Sequence, residues 1–177
     1  MEIQRQLDTM GIANPYWIAV DGFYGAGRTS FIRSCSQTPN QTLETSALTI
    51  QIDSDTDIIV RAVPRNHYYD FLDHIYSSGQ MLGMVYVLDS CALETLRVVQ
   101  PHIKTYEVYY RAFAPLIIAC NKQDMDGAWS PDDIRLAAHI PADIPVVPCV
   151  ATDTESVKQM LVTLLEQWLH TIDADVS

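Results

Sequence analysis

Apolar residues in this chain fall into short runs set between polar turns, and the spacing alternates between strand-like and helix-like stretches. Residues 15–20 (PYWIAV) form a continuous apolar run that closes on Asp21-Gly22, the pattern of a buried strand entering a tight turn. Residues 29–36 are short, mixed and helical in pattern. Two β-leaning stretches, 47–52 and 57–63, flank Asp53-Ser54-Asp55-Thr56 and predict a hairpin. Residues 83–88 (GMVYVL) are a fully apolar strand ending in Asp89-Ser90. A helical stretch over 93–113 leads to a second buried strand at 116–120 (LIIAC). Ser130-Pro131-Asp132-Asp133 has the form of a helix start, with proline in the first turn. A last strand is predicted at 145–149. The closing helix spans 154–172, where Val157, Met160, Leu161, Leu164, Leu165 and Leu169 recur at helical spacing.

Apolar strands alternating with helices imply a mainly parallel sheet covered on both faces. Ligands of such sheets bind at the carboxyl ends of the strands, in the loops that follow. No repeat, linker or low-complexity tract divides the 177 residues, so one domain over 1–177 is expected, with a core over about 15–172.

Composition narrows the function. Hydrophobic residues make up 48% of the chain, enough for a core, and the net charge is −11. That charge argues against nucleic acid, which needs a basic stripe to neutralise phosphates, and against an anionic membrane face. It leaves nucleotides open, because a phosphate site is built locally from backbone amides and a few cations. The four cysteines (Cys35, Cys91, Cys120, Cys149) show no C-x-x-C spacing, and Cys120 and Cys149 sit in apolar runs as buried thiols. The first ten residues hold no apolar run, and neither a myristoylation nor a prenylation signal is present. A cytoplasmic protein is expected, with any membrane recruitment through a partner.

The chemistry begins after the first strand. Gly22-Phe23-Tyr24-Gly25-Ala26-Gly27-Arg28-Thr29 fits G-x-x-x-x-G-K-[ST] except at Arg28, where the pattern has lysine. Glycines let successive N–H groups turn inward as an anion nest, and the following helix adds its positive end. The pattern assigns phosphate contacts to Gly22, Gly25, Ala26, Gly27, Arg28, Thr29 and Ser30, and a Mg²⁺ ligand to the Thr29 hydroxyl. Arg28 keeps the charge on a bulkier, forked head, so the exchange is not conservative. The alternative is a glycine-rich turn that matches by chance; the strand before it and the helix after it weigh against that.

After the strand at 116–120 stands Asn121-Lys122-Gln123-Asp124. Here the sequence resembles the Ras-like small GTPase superfamily, whose guanine-reading motif is N-K-x-D after this strand. A carboxylate at Asp124 can accept from the guanine N1–H and N2 amino group, which adenine lacks. The resemblance implies that Asn121 braces the site and that Lys122 lays its stem over the base. Further resemblance is to the bacterial gliding-motility (MglA-like) GTPases. Residues 22–36 (GFYGAGRTSFIRSCS) are similar to their phosphate loop and first helix, and 147–153 (VPCVATD) to their last base-contacting loop. Val150-Ala151-Thr152 occupies the S-A-K position, which implies an Ala151 N–H to guanine O6. The implied fold is a three-layer α/β P-loop NTPase (Ras-like) fold. Its six-stranded sheet is mostly parallel with one antiparallel edge strand, and helices cover both faces. The implied ligands are GTP and GDP with Mg²⁺, and the implied partners a protein effector or a Roadblock/LC7-type regulator.

The pattern breaks where the superfamily has D-x-x-G and the MglA-like proteins often G-T-P-G-Q. This chain reads Ala62-Val63-Pro64-Arg65-Asn66. Ala62 removes a carboxylate that would hold Mg²⁺ through water. Arg65 replaces a glycine whose N–H contacts the γ-phosphate. Asn66 stands one methylene short of the glutamine that orients the attacking water. Arg65 is either a solvated loop residue or a cis source of the charge that an arginine finger brings. Thr45 stands where the first switch would supply a second Mg²⁺ hydroxyl, against the reading of an ordinary loop residue. Hydrolysis is expected to be slowed by orders of magnitude and the switch blunted. A GTP-binding regulator with weak or partner-dependent turnover and a pseudo-GTPase scaffold are therefore both open. A P-loop kinase or ATPase is disfavoured by Asp124 and by the lack of an arginine-rich lid.

Residues 63–76 are rich in aromatics and histidine and read as the second-switch helix, packed on the sheet or on a partner. A metal site at His67 and His74 lacks an evident third ligand. Tyr106, Val108, Tyr109 and Tyr110 form a stripe of core and rim.

Overall fold

Strand alternation distributes the side chains of the sheet between two cores. In β1 (Tyr16–Gly22) Trp17 and Ala19 face one core while Ile18 and Val20 face the other. The same division runs through β4 (Met81–Asp89) and β5 (Leu116–Asn121), which are buried along almost their whole length. Continuous apolar runs in both strands are what a sheet covered on two faces requires. The computed structural model of the chain describes residues 15–36 and 47–175.

The remaining elements are α1 (Arg28–Ser34), β2 (Ala47–Gln51), β3 (Asp57–Ala62), α2 (Tyr68–Ser77), α3 (Leu96–Tyr109), α4 (Pro131–Ala137), β6 (Val146–Pro148) and α5 (Thr154–Asp175). The strands lie in the order β2-β3-β1-β4-β5-β6. Only β2 runs antiparallel, paired with β3 at one edge; all the other pairs are parallel. This is the three-layer α/β arrangement with one antiparallel edge strand that the sequence predicts.

One layer holds α2, α3 and α4, with Phe71, Leu72 and Ile75, Val99 and Ile103, and Ile134 in its core. The other holds α1 and α5, through Phe31, Ile32, Val157, Met160 and Leu164. Gly83 lets α5 approach β4 closely: a Cβ there would meet Leu164 Cδ1 at 2.5 Å. Cys120 and Cys149 are buried, one in each core. The predicted stripe divides as expected, with Tyr106 and Tyr110 buried and Val108 and Tyr109 exposed.

One expectation needs correction. The helix over 93–113 starts as a 3-10 turn at Leu93–Thr95, and its α-helical part stops at Tyr109. At that end Tyr110 leaves the helical conformation with φ −123°, and the Tyr110 and Arg111 N–H groups both close on the Tyr106 carbonyl. Pro101 sits inside α3, where Thr105 Oγ1 donates to its carbonyl at 3.0 Å. No helix among the described residues is long and apolar enough to cross a membrane.

Candidate nucleotide site

β1 is central: the chain runs from it to β2 and β3 on one side, then crosses over to β4, β5 and β6 on the other. The crevice of such a sheet lies at the carboxyl end of these strands, and the loop 22–29 starts there. Its glycines are required by its shape. Gly22 has φ 143°, and a Cβ would lie 2.2 Å from the Val87 carbonyl oxygen. Gly27 has φ 106°, and a Cβ would lie 2.3 Å from Asn121 Nδ2. Ala26 is buried and its N–H closes a turn onto the Phe23 carbonyl at 3.2 Å. Of the donors assigned to phosphate, the Ala26 N–H is thus engaged inside the loop. Thr29 is exposed and Ser30 half-buried on the first turn of α1.

Asn121 joins three loops. Its Nδ2 donates to the Ala26 carbonyl at 2.7 Å, and its Oδ1 accepts from the Ala151 N–H at 2.7 Å. Both bonds are buried, and Asn121 itself is 4% exposed. These two bonds tie the glycine loop and the 147–153 loop to the end of β5. The same bond occupies the Ala151 N–H that the sequence assigned to guanine O6. Gln123 Nε2 donates to Ser90 Oγ at 2.8 Å and to the Trp129 carbonyl at 2.9 Å, pinning the turn. Lys122 takes a left-handed backbone, φ 68°, and its ammonium pairs with Asp89 at the end of β4. Asp124 is exposed and has no hydrogen-bond partner among the described residues, so its carboxylate is available to a ligand.

Arg28 is not directed into the nest. Its Nη1 donates to the Val63 carbonyl at 3.3 Å, beyond the end of β3. Burial, with the Arg65 charge nearby, pulls Arg28 below the usual arginine range, and Asp21 offsets part of this. Arg65 and Asn66 sit exposed on a 3-10 turn, Arg65–His67, before α2. The Arg65 guanidinium lies 6.0 Å from the centre of the Phe23 ring. Arg65 thus stands beside the glycine loop, while Asn66 makes no polar contact among the described residues. Ala62 ends β3 opposite Val20 and offers no carboxylate. Thr45 lies outside the described residues.

Thr29 suits Mg²⁺ as far as one hydroxyl can. It is exposed at the start of α1 beside the loop, and Mg²⁺ commonly takes few protein ligands, with phosphate oxygens and water for the rest. Among the described residues no group of three His, Cys, Asp or Glu side chains could hold a metal. His67 is exposed and lies 3.6 Å from Asp70.

The sequence reading missed a second polar cluster. Asp21, the residue before the loop, is 5% exposed; its Oδ1 accepts from the Gly22 N–H at 2.7 Å. Its Oδ2 lies 3.2 Å from His102 Nδ1 on α3, which in turn lies 3.3 Å from the Tyr68 hydroxyl on α2. Burial, with the Asp21 charge behind it, pushes the Tyr68 phenol up. A carboxylate closing a buried apolar strand was the available signal, but a turn residue explains it equally well in one dimension.

No family model matches the chain, and no curated protein matches it. Solved structures do. The Arl6 BBS3 small GTPase from Trypanosoma brucei, determined with the nucleotide analogue GppNp, superimposes with a TM-score of 0.65. The match covers 89% of this chain and 99% of that one, at 15% identity. This chain has the fold of a small GTPase. At that identity the likeness speaks for the fold, and the glycine loop and the Asn121 turn occupy the strand ends where this fold carries ligands.

Proposed function

We propose that this chain is a guanine-nucleotide-binding regulatory protein of the small-GTPase type, with weak or partner-dependent hydrolysis. The observation that carries the reading is the Asn121 bridge. Two buried 2.7 Å bonds draw the glycine loop, the N-K-x-D turn and the 147–153 loop around one place. Asp124 stands free on that turn to accept from a guanine edge, and the Lys122 stem borders it. Thr29 would hold Mg²⁺, which supplies charge neutralisation at the phosphates when bound. Gly22, Gly25, Gly27 and Ser30 frame the phosphate position, and Arg28 reaches it by leaving Val63. An Ala151 contact to the base requires its N–H to be released by Asn121.

Weak turnover follows from the residues after β3. Ala62 cannot hold water on Mg²⁺, and Asn66 lies short and exposed. Arg65, held beside Phe23, is the one cation of that segment near the loop, and supplying charge to the γ-phosphate is its proposed role. Regulation by a protein partner, including a Roadblock/LC7-type dimer as in the MglA-like proteins, belongs to the same proposal.

A second reading, a pseudo-GTPase scaffold, is favoured by one observation: the Arg28 head is hydrogen-bonded to Val63 rather than turned to the nest. Titrating nucleotide-stripped protein with labelled GTP, GDP and ATP, with and without Mg²⁺, separates the two. Guanine-specific binding supports the first reading. Loss of all three leaves the scaffold.

A further inference from the structure

Side chains from three elements converge behind the first residue of the glycine loop. Asp21 lies near the end of β1 and is 5% exposed; its Oδ1 accepts from the Gly22 N–H at 2.7 Å. The Tyr68 hydroxyl, on α2, is hydrogen-bonded to the same carboxylate. His102, on α3, places Nδ1 3.2 Å from Asp21 Oδ2 and 3.3 Å from the Tyr68 oxygen. Its ring is packed in place, 5.0 Å from the Tyr86 ring and 5.8 Å from that of Tyr68, centre to centre.

Histidine is the side chain whose ordinary titration falls between about pH 5 and 8. Nδ1 faces two oxygens, which a proton on that nitrogen satisfies; a second proton, on Nε2, makes the ring a cation beside a buried carboxylate. The groups that face the ring from the packed elements are Asp21, Tyr68 and Tyr69, Tyr86 on β4, and Arg65 on the 3-10 turn. One turn away on α3 itself, Val98, Val99, Thr105 and Tyr106 carry no charge. Burial, with the Asp21 charge, pushes the Tyr68 and Tyr86 phenols up, so both stay neutral through this range. Arg65 stays cationic throughout. A proton on His102 therefore changes the charge beside Asp21 near neutral pH, when its neighbours do not.

We propose that His102 and Tyr68 are positioning residues for the glycine loop, acting through Asp21, and that a proton on His102 strengthens the hold of the loop on an anion. The Asp21 charge stands directly before Gly22 and opposes a phosphate there. The imidazolium offsets it; loss of the proton restores it. His102 is 36% exposed, so the effect is screened and about fivefold, the low end of couplings between sites. The anion part rests on the nucleotide reading, while the coupling of Gly22 to His102 does not.

NMR shifts of the Gly22 amide and the His102 ring, followed from about pH 5 to 8 in the nucleotide-free full chain, test the coupling. The amide is expected to move through the midpoint of the ring and to lose that response in His102→Gln. An amide that stays flat while the ring titrates, or that moves equally in His102→Gln, overturns the proposal. Tyr68→Phe removes a donor from Asp21 and leaves the His102 charge, so it should displace the Gly22 amide and keep its pH response; an undisplaced amide overturns the role of Tyr68. GDP affinity with Mg²⁺ is then compared at about pH 5.5 and pH 8. The unmodified chain is expected to weaken about fivefold more than His102→Gln, a comparison that cancels the titration of the phosphates. Equal pH dependence in the two chains overturns the effect on the anion. Failure of GDP to bind at either pH, with Gly22 still following His102, overturns the nucleotide reading and leaves the coupling standing.

Discussion

Asn121 shows what a single side chain contributes when it bridges loops that the sequence keeps far apart. Replacing it with alanine leaves the Ala26 carbonyl and the Ala151 N–H buried without partners. Asn121→Ala is expected to lower stability by about 2–4 kcal/mol in urea unfolding, two lost buried bonds at about 1–2 kcal/mol each. Gly22→Ala forces a Cβ against the Val87 carbonyl backbone at a φ of 143°, and it should cost more than the usual glycine substitution and distort the loop. Thermal unfolding of that variant checks it; an unchanged melting temperature would contradict the loop geometry. Burial holds the Cys35 and Cys120 thiols up at about 12 and Cys149 at about 11. Exposed Cys91 is therefore expected to react first with iodoacetamide, and the other three only after unfolding. The folded thiols bind protons more tightly than unfolded ones, so their contribution to stability is complete below pH about 8.5. It is lost as pH rises from there through the folded values. Residue types with fixed spacing, such as Gly22, Gly27 and Asn121, were legible because the loop geometry demands those types, whereas Asp124 rests on the motif alone. Asp21 and His102 were not: they meet only when β1 and α3 are packed together, and no local spacing links them.

At the scale of elements the apolar runs were a sufficient guide. Each predicted strand appears, and β1, β4 and β5 were the plainest, because a strand covered on both faces must be apolar almost throughout. Boundaries moved by one or two residues where backbone pairing outlasts the apolar run, as at Asp21-Gly22, which still pair with Tyr86 and Val87. The one long misreading, the helix over 93–113, failed because period alone does not register where the last turn tightens, with the Tyr110 and Arg111 N–H groups both closing on the Tyr106 carbonyl. The start of α4 was read from its residues, and the Ser130 hydroxyl both accepts from the Asp133 N–H at 3.2 Å and donates to its carboxylate at 2.7 Å. Ser130→Ala is expected to cost about 1 kcal/mol. Because α4 follows the Asn121–Asp124 turn through Trp129, the same variant should loosen guanine binding more than it loosens the phosphates. Comparing affinities for guanosine and for pyrophosphate in this variant checks that expectation.

The whole molecule carries a charge of −11 and is proposed to bind a polyanion, so its affinity must come from local donors and one divalent cation. The small-GTPase fold supplies the geometry; whether the chain uses it rests on Arg28, Asp124 and Thr29. At a free nucleotide concentration a hundredfold above Kd, binding should raise folding stability by about 2.7 kcal/mol. That rise appears as an upward shift in melting temperature that depends on Mg²⁺. The measurement closest to the central claim is the titration of nucleotide-stripped protein with GTP, GDP and ATP, with and without Mg²⁺. The account predicts micromolar or tighter binding of GTP and GDP, weakened without Mg²⁺, and ATP bound at least a hundredfold more weakly. Equal affinity for ATP and GTP would contradict the assignment of Asp124. Absence of binding to all three would contradict the nucleotide site and leave a small-GTPase fold used as a scaffold.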